Sequence, residues 1–139
     1  MMEFSRQADY AVRAIVELSH RPEGELLHSS EIACNQDIPE RYLPTIIRTL
    51  ARAGIIRTFR GSHGGVSLTN PPADITLREV VEAIDGPLLM NRCQLQPGEC
   101  RRDNGDKCDI HDFWENLAQD ILNELEGVDF SELANAVSL

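Results

Sequence analysis

The chain has 139 residues, 42% of them hydrophobic, with 13 Lys and Arg against 23 Asp and Glu for a net charge of −10. This length suits one domain, or a small domain with an appendage, and allows a genuine core. No positively charged leader and no apolar run of membrane-spanning length is present, so the expectation is a cytoplasmic protein with no membrane partner. In that compartment a cluster of cysteines is expected to hold metal or do redox chemistry rather than form structural disulfides.

The charge is uneven. Residues 1–70 carry eight Arg and eight acids, whereas residues 71–139 carry five Lys or Arg and fifteen acids. From Arg41 to Ala73 there are five arginines and no acid. Phosphate binding depends on the local field at the contact surface and not on the total, so this basic island is a candidate nucleic-acid footprint.

A first helix is predicted over residues 5–19, where Ala11, Ala14, Ile15 and Leu18 recur at helical spacing with Phe4 and Tyr10 alongside. Pro22 and Gly24 break it, and Asp9 sits in its first turn, where the helix dipole favours an acid. Ser29 or Ser30 can cap a short second helix around Ile32 and Ala33 that ends near Asp37. Cys34, within it, reads as a small semi-buried thiol. A third helix is predicted over about residues 40–53, with Leu43, Ile46, Ile47 and Leu50 inward and Gly54 at its end. Pro44 fits only in its first turn, where a missing N–H costs little.

Residues 55–59 and 66–69 read as two short strands joined by a glycine-rich tip, a β-hairpin. Helix, helix and hairpin in this order, carrying the basic island, make a winged helix-turn-helix over residues 1–72. The alternative is a small α+β domain whose arginines merely solvate a surface. Pro71-Pro72 separates this unit from residues 73–139, which are expected to hold a metal-binding loop and dimerisation helices.

Thr76 and Glu79 form a capping box for a helix carrying Leu77, Val80, Val81 and Ile84, stopped by Gly86-Pro87. A long helix follows over residues 109–126. Ile110, Trp114, Leu117, Ile121 and Leu125 form its apolar stripe, widened by Phe113, Ala118 and Leu122. So broad a face can pack on its own domain or on a twin. A homodimer suits a helix-turn-helix that reads two half-sites by symmetry. Phe130, Leu133, Val137 and Leu139 read as a short helix that packs back. The expected fold class is mainly α with a small β-wing: a winged helix-turn-helix plus a long dimerisation helix.

Cys93, Cys100, Cys108 and His111 lie between these helices, separated by six, seven and two residues. Pro97-Gly98 and Asn104-Gly105 between them are turn formers. Four such ligands on a loop can close around one metal centre, because the backbone is free to bring them together. The alternative is ordinary thiols or a disulfide. The odd number of cysteines in this loop, three, and the terminal C-x-x-H favour ligation. No paired acid and base stands near a nucleophile and no phosphate-binding glycine loop occurs, which argues against an enzyme and against a small-molecule substrate.

Asp9-Tyr10-Ala11-Val12-Arg13-Ala14, Tyr42-Leu43, Leu50-x-x-Ala53-Gly54-Ile55-Ile56 and Arg60-Gly61-x-x-Gly64-Gly65-Val66-x-Leu68 occur in one order, followed by Ile75-Thr76-Leu77 and Glu82-Ala83-Ile84-Asp85-Gly86-Pro87. In these motifs, over almost its whole length, the chain resembles the bacterial Rrf-two superfamily of regulators. The resemblance implies a homodimeric winged-helix transcription factor on palindromic operator DNA, often controlled by an iron–sulfur cluster. Its IscR-like branch, a sensor of iron–sulfur status, holds a 2Fe–2S cluster with three cysteines and a histidine, the order of Cys93, Cys100, Cys108 and His111; the gaps here are longer. Its NsrR-like branch, a nitric oxide sensor, holds a 4Fe–4S cluster with three cysteines, and its fourth ligand can be an acid on the partner's first helix, the position Asp9 occupies. His111 is the expected fourth ligand, with 2Fe–2S favoured over 4Fe–4S and Asp9 in reserve.

The resemblance also implies that Arg60 and His63 meet a minor groove. It implies that Arg41, Thr45 and Arg48 face the major groove, with Arg52 beside them. Pro44 departs from the polar residue common at its position, so operator preference does not carry over. The other class weighed is a zinc-stabilised winged-helix module, binding DNA or protein, with the same four residues in a closed tetrahedral site and no sensor cluster.

Overall fold

The computed structural model describes residues 3–90 and 108–136 of the chain. Helix α1 (Arg6–Ser19) opens at Ser5, whose hydroxyl accepts a hydrogen bond from the Ala8 N–H at 3.0 Å and so satisfies one of the free donors of the first turn. Its buried face carries Ala11, Ala14, Ile15 and Leu18. Helix α2 (Ser29–Gln36) starts one residue earlier than the serine caps expected. His28 is its N-cap, and its backbone N–H is held by the Glu31 carboxylate at 3.1 Å. Cys34 is exposed, not semi-buried as expected: in a helix of eight residues Ile32 and Ala33 take the core-facing side and leave the next position outside. The helix ends at Asp37 in the left-handed region, φ 53° and ψ 47°, where a short polar side chain is tolerated.

A short 3-10 turn (Glu40–Tyr42) leads into α3 (Leu43–Arg52). The helix proper begins at Leu43, which places Pro44 in its first turn and removes the difficulty of an internal proline. Leu43, Ile46 and Leu50 are buried.

Strands β1 (Ile56–Phe59) and β2 (Gly65–Leu68) pair antiparallel, with Ile56 opposite Leu68 and Phe59 opposite Gly65. Leu27 tethers the hairpin to the chain before α2: its N–H reaches the Val66 carbonyl at 3.0 Å and receives the Val66 N–H at 2.8 Å. Gly64 is obligatory, because a Cβ there would collide with the Phe59 carbonyl oxygen.

After a second 3-10 turn (Pro72–Asp74), α4 (Leu77–Asp85) begins with the expected capping box. The Glu79 N–H bonds Thr76 Oγ1 at 3.2 Å, and the Thr76 N–H bonds Glu79 Oε2 at 2.9 Å. Helix α5 (Asp109–Glu126) has the predicted limits, and α6 (Phe130–Ala136) closes the described chain. Val137 and Leu139 lie outside the described residues.

Phe130 is fully buried, and its N–H bonds the Ile75 carbonyl at 3.0 Å, which stitches α6 to the segment after the hairpin. One core takes in Ile15, Ile32, Leu43, Ile46 and Leu50 together with Ile75, Val80 and Phe130, so it continues across residues 72 and 73. Helix α1 packs against α2, α4 and α6, and α4 touches α1, α3 and α5. The described residues are thus mostly helical with a two-stranded antiparallel wing, as the sequence predicts. No described helix is long and apolar enough to cross a membrane.

Candidate nucleic-acid interface and metal ligands

The buried stripe of α3 dictates what its other side presents. With Leu43, Ile46 and Leu50 inward, Thr45, Arg48 and Arg52 stand outward at helical spacing, and Arg41 is exposed on the turn before them. Arg57, Arg60 and His63 are exposed on the wing. Among the described residues the arginine ion pairs belong to Arg13, Arg21 and Arg78. None of the five arginines in the acid-free stretch is paired. Free of ion pairs, such guanidinium groups suit a phosphate oxygen pair or a guanine edge.

Two tyrosines extend this surface onto α1, beyond the acid-free stretch. The Tyr10 and Tyr42 rings meet at 5.1 Å between centroids with a 56° tilt, fixing α1 against the turn before α3. The Arg41 guanidinium lies 5.1 Å from the Tyr42 ring centre, and that of Arg13 lies 5.7 Å from the Tyr10 ring centre. Arg41, and after it Arg6, hold the Tyr42 phenol below its usual pKa range. The signal for this extension is the i, i+4, i+7 spacing of Arg6, Tyr10 and Arg13 on one helix. It gains meaning only once Tyr42 is known to meet Tyr10.

Of the four residues expected to hold a metal, Cys93 and Cys100 lie outside the described residues. Cys108 and His111 are the N-cap and third position of α5, one turn of helix apart. The Cys108 thiol is half-buried, free of any disulfide, and makes no capping hydrogen bond. Glu115, one turn further along α5, lies 4.0 Å from the His111 Nε2. Asp9, the reserve ligand, is exposed and pairs with Arg13 at 2.9 Å. Among the described residues no three His, Cys, Asp or Glu side chains converge on one point.

Over residues 4–136 the chain matches the family described as Rrf2, iron-dependent transcriptional regulator. The chain belongs to the Rrf2 family. Among its relatives is an HTH-type transcriptional regulator of Mycobacterium tuberculosis, 31% identical over 133 residues that span 96% of this chain and 81% of that protein. IscR of Escherichia coli is 29% identical over 134 residues, again 96% of this chain and 81% of the relative. Among solved structures, CymR, the global cysteine regulator of B. subtilis, superposes with a TM-score of 0.81 at 21% identity, covering 99% of this chain and 100% of that one. IscR of T. potens gives a TM-score of 0.77 at 22% identity, covering 99% and 89%. These likenesses establish the winged-helix fold, and the Rrf2-family relatives are transcriptional regulators rather than enzymes. This Rrf2 protein is accordingly a DNA-binding transcriptional regulator, and its exposed arginines are the candidate DNA-facing set.

Proposed function

We propose that this Rrf2 regulator binds palindromic operator DNA as a homodimer in the cytoplasm, under control of an iron–sulfur cluster held by Cys93, Cys100, Cys108 and His111. The observation that carries the reading is the placement of Cys108 and His111 on the first turn of α5, with the Cys108 thiol uncommitted. Three thiolates and one imidazole form a donor set that suits iron. Bound there, a cluster supplies an iron centre that responds to iron–sulfur status, redox state or nitric oxide. A 2Fe–2S cluster with His111 as fourth ligand is the preferred form, with a 4Fe–4S cluster and Asp9 of the partner subunit in reserve.

The chain's own residues supply a route to DNA. Cys108 and His111 stand at the start of α5; α5 packs on α4, and α4 packs on α1 and α3. An ordered first turn of α5 therefore favours one placement of the recognition helix α3. Thr45, Arg48 and Arg52, with Arg41, face the major groove, while Arg60 and His63 meet the minor groove. Residues 1–72 form the DNA-reading unit and residues 73–139 the cluster and dimer unit. Ile110 and Phe113 on α5 are exposed, Trp114, Leu117 and Ile121 are only half-buried, and Ala118 is the residue of α5 that is fully covered. A face this apolar calls for a second copy.

The second reading, a zinc-stabilised winged-helix module, uses the same donor set as a closed tetrahedral site. Fluorescence anisotropy on a duplex selected from a random pool by the protein separates the two. Cluster-loaded and chelator-treated protein should differ about tenfold in affinity, the size of an ordinary allosteric coupling. Equal affinities would overturn the sensing role, and failure to select any duplex would overturn the DNA-binding one.

A further inference from the structure

Five large apolar side chains stand exposed among the described residues: Phe4, Phe59, Leu89, Ile110 and Phe113. Four of them stand on α5 or beside it. Phe4 and Leu89 line an apolar cavity of about 270 Å³ that is also lined by Ile121, Leu122 and Leu125. Ile110 and Phe113 lie on α5 itself.

Phe59 stands apart. It ends β1, is 49% exposed, and is not among the residues that pack on the core. Its cross-strand partner is Gly65, which has no side chain to cover it. Arg57, on the same strand face by two-residue alternation, is exposed, as is Arg60 next in the chain. No acid occurs anywhere from Arg41 to Ala73.

The wing presents this ring from a fixed base. Its inner strand is bonded to Leu27 on the side away from β1, and its tip is closed by the Gly64 N–H on the Gly61 carbonyl at 3.0 Å. An exposed phenyl ring on a strand end that also carries two arginines free of ion pairs complements a surface in which apolar faces lie between rows of anions. The minor groove of duplex DNA is such a surface, with sugar faces and base edges between two lines of phosphates.

We infer that Phe59 is an apolar wedge for the operator's minor groove, seated by Arg57 and Arg60 on the flanking phosphates and packed against sugar and base edges so that it opens a base step. The inference rests on the DNA-binding reading and deepens it. Pyrimidine–purine steps unstack most easily, so each wing would favour a TA or CA step, a preference read through deformability rather than through hydrogen bonds to bases.

The test uses the full-length protein and a duplex selected from a random pool by the parent. The duplex carries 2-aminopurine at the step under the wing, where unstacking raises fluorescence. Phe59→Ala should lower affinity roughly ten- to a hundredfold, the effect of leaving a phenyl side chain unburied. It should abolish the fluorescence gain and leave the slope of log affinity against log salt unchanged, because no phosphate contact is lost. Phe59→Leu should restore part of the gain, while Arg60→Ala should reduce the salt slope by about one.

Phe59→Ala matching the parent in affinity and fluorescence, while Arg60→Ala still weakens binding, would overturn the wedge and leave the DNA reading standing. A Phe59→Ala variant that changes the oligomeric state and not DNA binding would assign the ring to a protein contact and overturn it as well. A parent that selects no duplex would overturn both.

Discussion

Asp85, the last residue of α4, accepts a hydrogen bond from the Ser5 backbone N–H at 3.0 Å and a second from the Ser5 hydroxyl, joining positions eighty residues apart. Ser5 is also the N-cap of α1, so a single carboxylate fixes the start of the central helix one residue before Gly86. Ser5→Ala should cost about 1 kcal/mol as a lost cap. Asp85→Ala should cost less, because both groups are exposed to water. The double variant should lose less than the sum of the two in urea unfolding. Strict additivity would show that the contact contributes nothing to stability.

Glu17 predicts a pH dependence. It is buried in α1, and its carboxylate receives Asn35 Nδ2 and Gln36 Nε2 at 2.8 Å and Arg21 at 3.1 Å, tying α2 to α1. Burial pushes its pKa up, but the hydrogen bonds from Gln36, Asn35 and Arg21, aided by the Arg21 charge, outweigh that and hold it below the ordinary range. With the folded value lowered, the unfolded chain binds more protons in the acid range. The stabilisation is therefore complete above the unfolded value, about 4.3 for Glu, and is lost as the pH falls through the folded value below it. Glu17→Gln replaces one acceptor oxygen with an NH2 donor facing the donors of Asn35, Gln36 and Arg21, which leaves at least one of them without a partner and should cost about 1–3 kcal/mol at neutral pH. In urea titrations the gap to the parent should narrow below about pH 4. A gap independent of pH would rule out the ionised clamp.

For the recognition face, the prediction concerns Arg48 and Arg60, both exposed and unpaired. Arg48→Ala should weaken binding by roughly 1–3 kcal/mol and relax specificity if it reads a base. Each phosphate contact removed should lower the salt slope by about one. Both variants should keep the parent's thermal melt. Binding curves that overlay the parent's across a salt titration would leave the basic island as a solvated surface.

Leu117, half-buried on α5, probes assembly. Leu117→Glu would place an unpaired charge in the proposed seam, so it should split the dimer or unfold the chain. Sedimentation of the parent at micromolar concentration should give a dimer; a well-folded monomer would contradict the assembly.

Helices and caps were readable in the sequence wherever one local rule governs them. The Thr76–Glu79 box and the limits of α5 are set by neighbours within a turn, and Thr45, Arg48 and Arg52 follow from the helical period of Leu43, Ile46 and Leu50. Features that depend on distant contacts were not readable. Cys34 is exposed because α2 buries only Ile32 and Ala33, and Arg6 and Tyr10 join the basic surface only through Tyr42. The core runs past Pro72 because Phe130 reaches Ile75, a contact that composition and charge do not encode. Alternation alone did not mark Phe59 either, since an edge strand can leave both faces in water. Of the ligand set, Cys108 and His111 can be placed on α5, whereas Cys93 and Cys100 lie outside the described residues.

The cysteines give the sharpest substitution series. Cys93→Ala, Cys100→Ala and Cys108→Ala should each abolish the visible chromophore, and Cys34→Ala, exposed on α2, should leave it intact. His111→Ala should weaken the chromophore, whereas Asp9→Ala should not. The reverse pattern would move the fourth ligand to the first helix of the partner.

The sensing role rests on the proposed iron–sulfur cluster. It is tested most directly by the visible absorption spectrum of the anaerobically purified protein, taken together with its iron and acid-labile sulfide content. The account predicts a brown protein with iron and sulfide in stoichiometric amounts. A colourless protein that binds stoichiometric zinc and no iron after sulfide-replete reconstitution would contradict it.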